Sequence, residues 1–224
     1  MAETITAPSG AERADAGHGP SEGRDDHVHV TNTGISNEKL GMWIFLGSEC
    51  LLFGGLISTF LLYKKKLNTF PGFEHAEINK LGQKVFDIPF TSVSSFVLLM
   101  SSLTMVLSVS ALERNDHRRT RIWLLATALL GSTFLAGQAY EFTAFLNEGL
   151  GFTTNIFSSA FFTLTGFHGA HVLIGIVILM TMYARSVRGH LPASSSETLE
   201  IAGLYWHFVD VVWVVIFVVG YLIH

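Results

Sequence analysis

Five stretches of this chain are apolar for longer than any soluble core helix requires: residues 40–63, 89–112, 120–145, 156–184 and about 197–223. A hydrocarbon layer of about 30 Å takes roughly 20 residues at 1.5 Å each, so every stretch is long enough to cross a bilayer. A backbone in lipid must satisfy its own polar groups within the segment, which makes these stretches helices. Local signals agree with the boundaries. The first run ends at Lys64, Lys65 and Lys66, and Asp87 is placed to cap the second, where Pro89 suits the first turn because its missing N–H would be unpaired anyway. Ser194 and Glu197 have the spacing of a capping box at the start of the fifth. The pattern predicts an all-α integral membrane bundle of five transmembrane helices over residues 39–224.

Residues 1–38 break the pattern. They hold seven acids and two arginines among Gly, Ser, Thr and His, with no apolar run long enough for a signal-peptide core. They are expected to form a flexible polar tail. Lys and Arg then give the orientation. Lys39, Arg114, Arg118, Arg119, Arg121, Arg185 and Arg188 fall on the side of the N-terminus, while Lys64, Lys65, Lys66, Lys80 and Lys84 fall opposite. Seven against five places the tail in the cytoplasm and the C-terminus outside, with the lysine run as a local exception.

Composition narrows the function. The 224 residues are 49% hydrophobic and 14% charged, and mean hydropathy is +0.43. The net charge of −4 arises mostly in the tail, and no basic stripe suits nucleic acid. Cys50 is the only cysteine, so neither an internal disulfide nor a paired-cysteine metal centre can form.

The informative residues are the ionisable ones inside the spans: Glu49, Glu141, His168, His171, His207 and Asp210. An acid near a helix centre costs about 2.5–3.5 kcal/mol on insertion scales, so each needs a partner, a proton or a function. Glu49 lies close to mid-membrane among Gly47, Ser48, Cys50, Gly54 and Gly55. It reads either as a proton-handling carboxyl or as a neutral acid bonded to a neighbouring helix. His168 and His171 share a face of the fourth span at i, i+3 spacing, and glycines 166, 169 and 175 leave room for a close helix. His207 and Asp210 repeat that spacing on the fifth. The expectation is a buried couple in which Asp210 accepts the His207 N–H, joined by the other histidines and Glu141. Haem held by His168 or His171 together with His207 is the sharper alternative. Three histidines are too few for a haem and a haem-copper pair, and hydrogen-bonded packing is the preferred reading, with no metal. Arg185 and Arg188 close the fourth span as topology determinants or as holders of lipid phosphate.

The runs GMWIFLGSECLLFGG, GQAYEF, TGFHGAHVLIG and GLYWHFVDVVW, in this order, resemble subunit III of the haem-copper respiratory oxidases over residues 39–224. The chain resembles the five-helix bacterial form, without the first two helices of the seven-helix type. This resemblance implies a subunit without redox centres beside a catalytic subunit I and a subunit II that carry haem and copper. It implies that Glu49 sustains proton uptake by the catalytic subunit and that phospholipid binds near Arg185 and Arg188. It also implies a bacterial plasma membrane and a lipid cleft completed by a neighbour. GQAYEF and the turn Glu113-Arg114-Asn115-Asp116 look more like the cytochrome c branch than the quinol branch. Two other classes are an autonomous proton-coupled transporter, for which the chain shows no internal repeat or Pro-broken span, and a self-contained membrane haem protein.

Overall fold

A computed structural model describes residues 36–66, 88–147, 152, 156–191 and 196–222. It contains α1 (Asn37–Lys66), α2 (Ile88–Glu113), α3 (His117–Asn147), α4 (Ile156–Val187) and α5 (Ser196–Phe217), the last extended by a π-helical turn, Val218–Leu222. All five are long and apolar enough to cross a membrane. Most of the tail, together with Lys80, Lys84, Asp87 and Ser194, lies outside the described residues. Helix α3 begins before its apolar stretch, because Asp116 caps it: the Arg119 N–H donates to Asp116 Oδ1 at 3.1 Å.

Two helix ends close in the same way. After α2, Asn115 adopts φ 60°, with Asn115 N–H donating to Leu112 O and Asp116 N–H to Ala111 O, each at 2.9 Å. After α4, Gly189 at φ 74° donates to Ser186 O at 3.2 Å and His190 to Arg185 O at 2.9 Å. Both are Schellman caps, which turn the chain sharply while satisfying carbonyls the helix leaves open.

Helices α2 and α3 form a hairpin, α4 lies beside α3, and α5 packs on α1, α2 and α4. The most apolar stretch of α5 is 50% buried and that of α1 only 17%. Lipid is as apolar as a leucine side chain, so burial alone gives little driving force, and close packing with interhelical hydrogen bonds must hold the helices. Trp206 supplies both. A Cβ at Gly131 of α3 would stand 2.5 Å from the Trp206 ring, and one at Gly175 of α4 would stand 2.8 Å from it. Both positions therefore have to be glycine. The indole N–H donates to Ser101 Oγ of α2 at 2.9 Å. Two turns on, Trp213 donates to Ser95 Oγ at 2.8 Å and packs edge-on to Phe134 at 4.8 Å. Ser101 and Ser95 donate their own hydroxyls to Leu98 O and Thr91 O, at 2.6 and 2.7 Å. That leaves their lone pairs free to accept from α5. Thr104 and Thr127 add a 2.8 Å bond between α2 and α3.

Helix α1 lacks such a wedge and is tethered by polar contacts along its length. At its start, the Ser36 hydroxyl donates to Glu197 and Lys39 pairs with Glu200 at 2.7 Å. At its end, Lys64 donates to Val219 O at 3.1 Å, a carbonyl in the π-turn. The first member of the lysine run thus has a structural task.

Gly175→Val is expected to destabilise the subunit by about 1–3 kcal/mol through overpacking against Trp206. Gly220→Ala, whose Cβ would meet Phe161 at 3.9 Å, serves as the control. Thermal unfolding of the purified membrane protein measures both, and equal stability of the two would contradict the wedge.

Candidate functional site

Glu49 of α1, His171 of α4 and Tyr205 of α5 meet inside the bundle. Phe53, one turn beyond Glu49, presents α1 to the His171 ring edge-on at 5.0 Å. Glu49 Oε2 stands 3.2 Å from His171 Nε2, with the two side chains 15% and 13% exposed. His171 Nδ1 lies 2.7 Å from Phe167 O, and the Tyr205 hydroxyl donates to His171 O at 3.0 Å.

Proton positions follow from these partners. A carbonyl oxygen only accepts, so Nδ1 must carry the hydrogen that binds Phe167 O. Nε2 and the Glu49 oxygen then need one proton between them, on the imidazole or on the acid. Either placement, imidazolium with carboxylate or imidazole with carboxylic acid, makes the same hydrogen bond. Moving the proton takes a short transfer along that bond with no rearrangement of helices. The couple holds one proton between its two members, which spares an acid in the span the cost of standing unpaired.

The other ionisable groups do not form the continuous network that their spacing suggests. A separation of three residues turns a helix by about 60° from the same direction, enough in a tight bundle to aim neighbours at different helices. His171 faces α1, whereas His168 is fully buried, stacked on Trp213 at 5.0 Å and edge-on to Phe134 at 6.0 Å. Among the described residues, neither His168 ring nitrogen has a hydrogen-bond partner. The expected His207–Asp210 bond is replaced as well. His207 Nδ1 bonds the Ser102 hydroxyl of α2. Asp210 is 3% exposed; among the described residues no donor meets its oxygens in good hydrogen-bond geometry, and the Ser102 hydroxyl is the polar group beside it. Glu141, also buried, accepts from the Thr91 hydroxyl, with Tyr221 close by.

The bis-histidine alternative needs two imidazoles facing one haem, and these three are turned to Glu49, Trp213 and Ser102. No three His, Cys, Asp or Glu side chains converge on a metal-sized site among the described residues. Arg185 and Arg188 are exposed at the end of α4. Sequence reasoning singled out Glu49 and His171 but did not join them. The glycines around Glu49 carry no such signal, because Gly47, Gly54 and Gly55 are exposed and a Cβ at any of them would meet nothing within 4 Å.

The family model described as cytochrome c oxidase subunit III matches residues 20–223. A cytochrome c oxidase subunit 3 from Bacillus sp. strain PS3 is 40% identical over 186 residues, covering 83% of this chain and 86% of the relative. One from Alkalihalophilus pseudofirmus is 37% identical over 203 residues, covering 90% and 94%. A protein named "Probable quinol oxidase subunit 3" from Staphylococcus saprophyticus is 36% identical over 185 residues, covering 83% and 88%.

Replacing His171 tests the shared proton as a structural bond. His171→Leu leaves Glu49 without its partner and is expected to cost about 1–3 kcal/mol, whereas His171→Gln keeps a hydrogen-bonding group and costs less than half of that. Thermal unfolding separates them, and equal losses would contradict the pairing.

Proposed function

The chain belongs to the cytochrome c oxidase subunit III family, and from that premise we propose that it is the subunit III of a terminal oxidase that passes electrons from cytochrome c to O2. It is a multi-pass bacterial membrane protein of a haem-copper oxidase complex. Haem and copper reside in subunits I and II, and this chain carries no redox centre of its own. Its contribution is to steady proton supply and the lipid surroundings of the catalytic subunit.

The observation that carries the reading is the Glu49–His171 couple, whose Nδ1 is committed to Phe167 O and whose Nε2 shares a proton with the acid at 3.2 Å. A group that holds a proton in either of two equivalent places can accept one and return it without leaving a buried charge unpaired. Placed against subunit I, it buffers proton delivery between turnovers. Arg185 and Arg188 supply exposed cations at the end of α4, at headgroup depth, and bind phospholipid phosphate there. The N-terminus lies in the cytoplasm by the distribution of Lys and Arg. Relatives named as quinol oxidase subunits, at 35–36% identity, support the second reading, in which the same subunit serves a quinol-oxidising complex.

Glu49→Gln removes the shared proton but keeps the side chain's shape. In the assembled oxidase, the initial rate of O2 consumption is expected to stay unchanged while activity is lost after fewer turnovers than in the wild type. Steady oxygen-electrode traces with reduced cytochrome c, and separately with a quinol, measure the effect and identify the donor. An unchanged active lifetime would remove Glu49 from the proton supply.

A further inference from the structure

Asp210 is a carboxyl that the Glu49–His171 couple leaves unused. It is 3% exposed on the most buried helix, and among the described residues no donor meets either of its oxygens in good hydrogen-bond geometry. Ser102 of α2 lies against it, and the same hydroxyl bonds His207 Nδ1. One hydroxyl therefore stands between an acid and an imidazole.

His207 also lines a groove of about 480 Å³ walled by α1, α2 and α5. Lys39, Glu113 and Glu200 form its charged rim at the end of the bundle where α1 and α5 begin, and Trp43, Val106 and Leu204 line its apolar walls. His207 lies two turns inward from Glu200, about 10 Å at 1.5 Å per residue, and Asp210 one turn deeper. Between Phe90 and Leu112, α2 offers no ionisable side chain, α1 contributes Glu49 and α4 His171, which are joined to each other, and the second imidazole of α4, His168, is buried against Trp213 and Phe134.

We propose that Asp210 is a proton-exchanging carboxyl, connected to the aqueous end of the bundle through Ser102, His207 and this groove. The chemistry has two end states. In one, the Asp210 acid donates to Ser102 Oγ, Ser102 donates to His207 Nδ1, and His207 Nε2–H faces the groove. In the other, His207 Nδ1–H donates to Ser102 and Ser102 donates to the Asp210 carboxylate. Passing from the first to the second, the Asp210 proton moves to Ser102 as the Ser102 proton moves to Nδ1, and Nε2 releases its proton to the groove. One proton leaves the acid and one reaches the rim, with no electron transferred. Ser102 serves either direction because a hydroxyl both donates and accepts. Carboxyl, hydroxyl and imidazole chains of this kind are the groups that carry protons inside membranes.

Infrared spectroscopy of the assembled oxidase tests the connection. The difference between wild type and Asp210→Asn isolates the Asp210 carbonyl, which is expected as a protonated-acid band that moves to lower frequency in D2O. Ser102→Ala should slow that isotope shift about a hundredfold, in line with the contribution of a positioned proton-transfer group. Ser102→Thr, which keeps a hydroxyl, should leave it fast. Val106→Phe fills the groove from an exposed position and should slow the shift without touching a polar group, so it decides the matter if Ser102→Ala does not assemble. Absence of the band, a band indifferent to D2O, or exchange at the wild-type rate in either Ser102→Ala or Val106→Phe would overturn the proposal. Glu49 and His171 are intact in every variant, so such a result leaves the proton store at Glu49 standing.

Discussion

Trp206 fixes most of this bundle because its ring occupies space that only two glycines can leave. Gly131 and Gly175 bring α3 and α4 against it, and Ser101 takes its N–H from the side of α2. In lipid the alternative to such a contact is another apolar surface, so shape fit and a satisfied N–H decide between arrangements that burial would leave equal. The consequence reaches the neighbouring residue. With Trp206 wedged, Tyr205 points its hydroxyl to His171 O, and the imidazole is held where Glu49 can meet it.

Helix α1 obeys a different rule. It is the least buried of the five and is held by Ser36–Glu197, Lys39–Glu200, Glu49–His171 and Lys64–Val219 O, spread from its first turn to its last. The contact proposed to store a proton is thus also the tether in the middle of the helix that carries it. Chemistry and attachment share one hydrogen bond. With the proton on either partner the hydrogen bond to α1 is the same, so the position of the proton does not decide whether this helix stays docked.

Much of the fold is written in the one-dimensional pattern. Five apolar stretches became five helices in their expected places, since span length is set by the bilayer rather than by neighbours. The ionisable residues were legible as individuals but not as pairs. Spacing on one helix grouped His168 with His171 and His207 with Asp210, yet partners in a bundle come from other helices, and a 60° difference in direction selects different ones. Ser95, Ser101 and Ser102 carried no signal, because a serine in an apolar run reads as a small residue until an indole or imidazole is seen above it. The start of α3 was misplaced for a related reason: its cap at Asp116 precedes the apolar residues by a full turn.

Whether Glu49 and His171 act as one unit is measured directly by a double-substitution cycle on the working oxidase. Glu49→Gln, His171→Leu and the pair together are compared by the number of turnovers each complex completes before losing activity. A shared proton predicts strong coupling, with the double variant no worse than the more damaging single one. Losses that multiply, as for two independent sites, would contradict it.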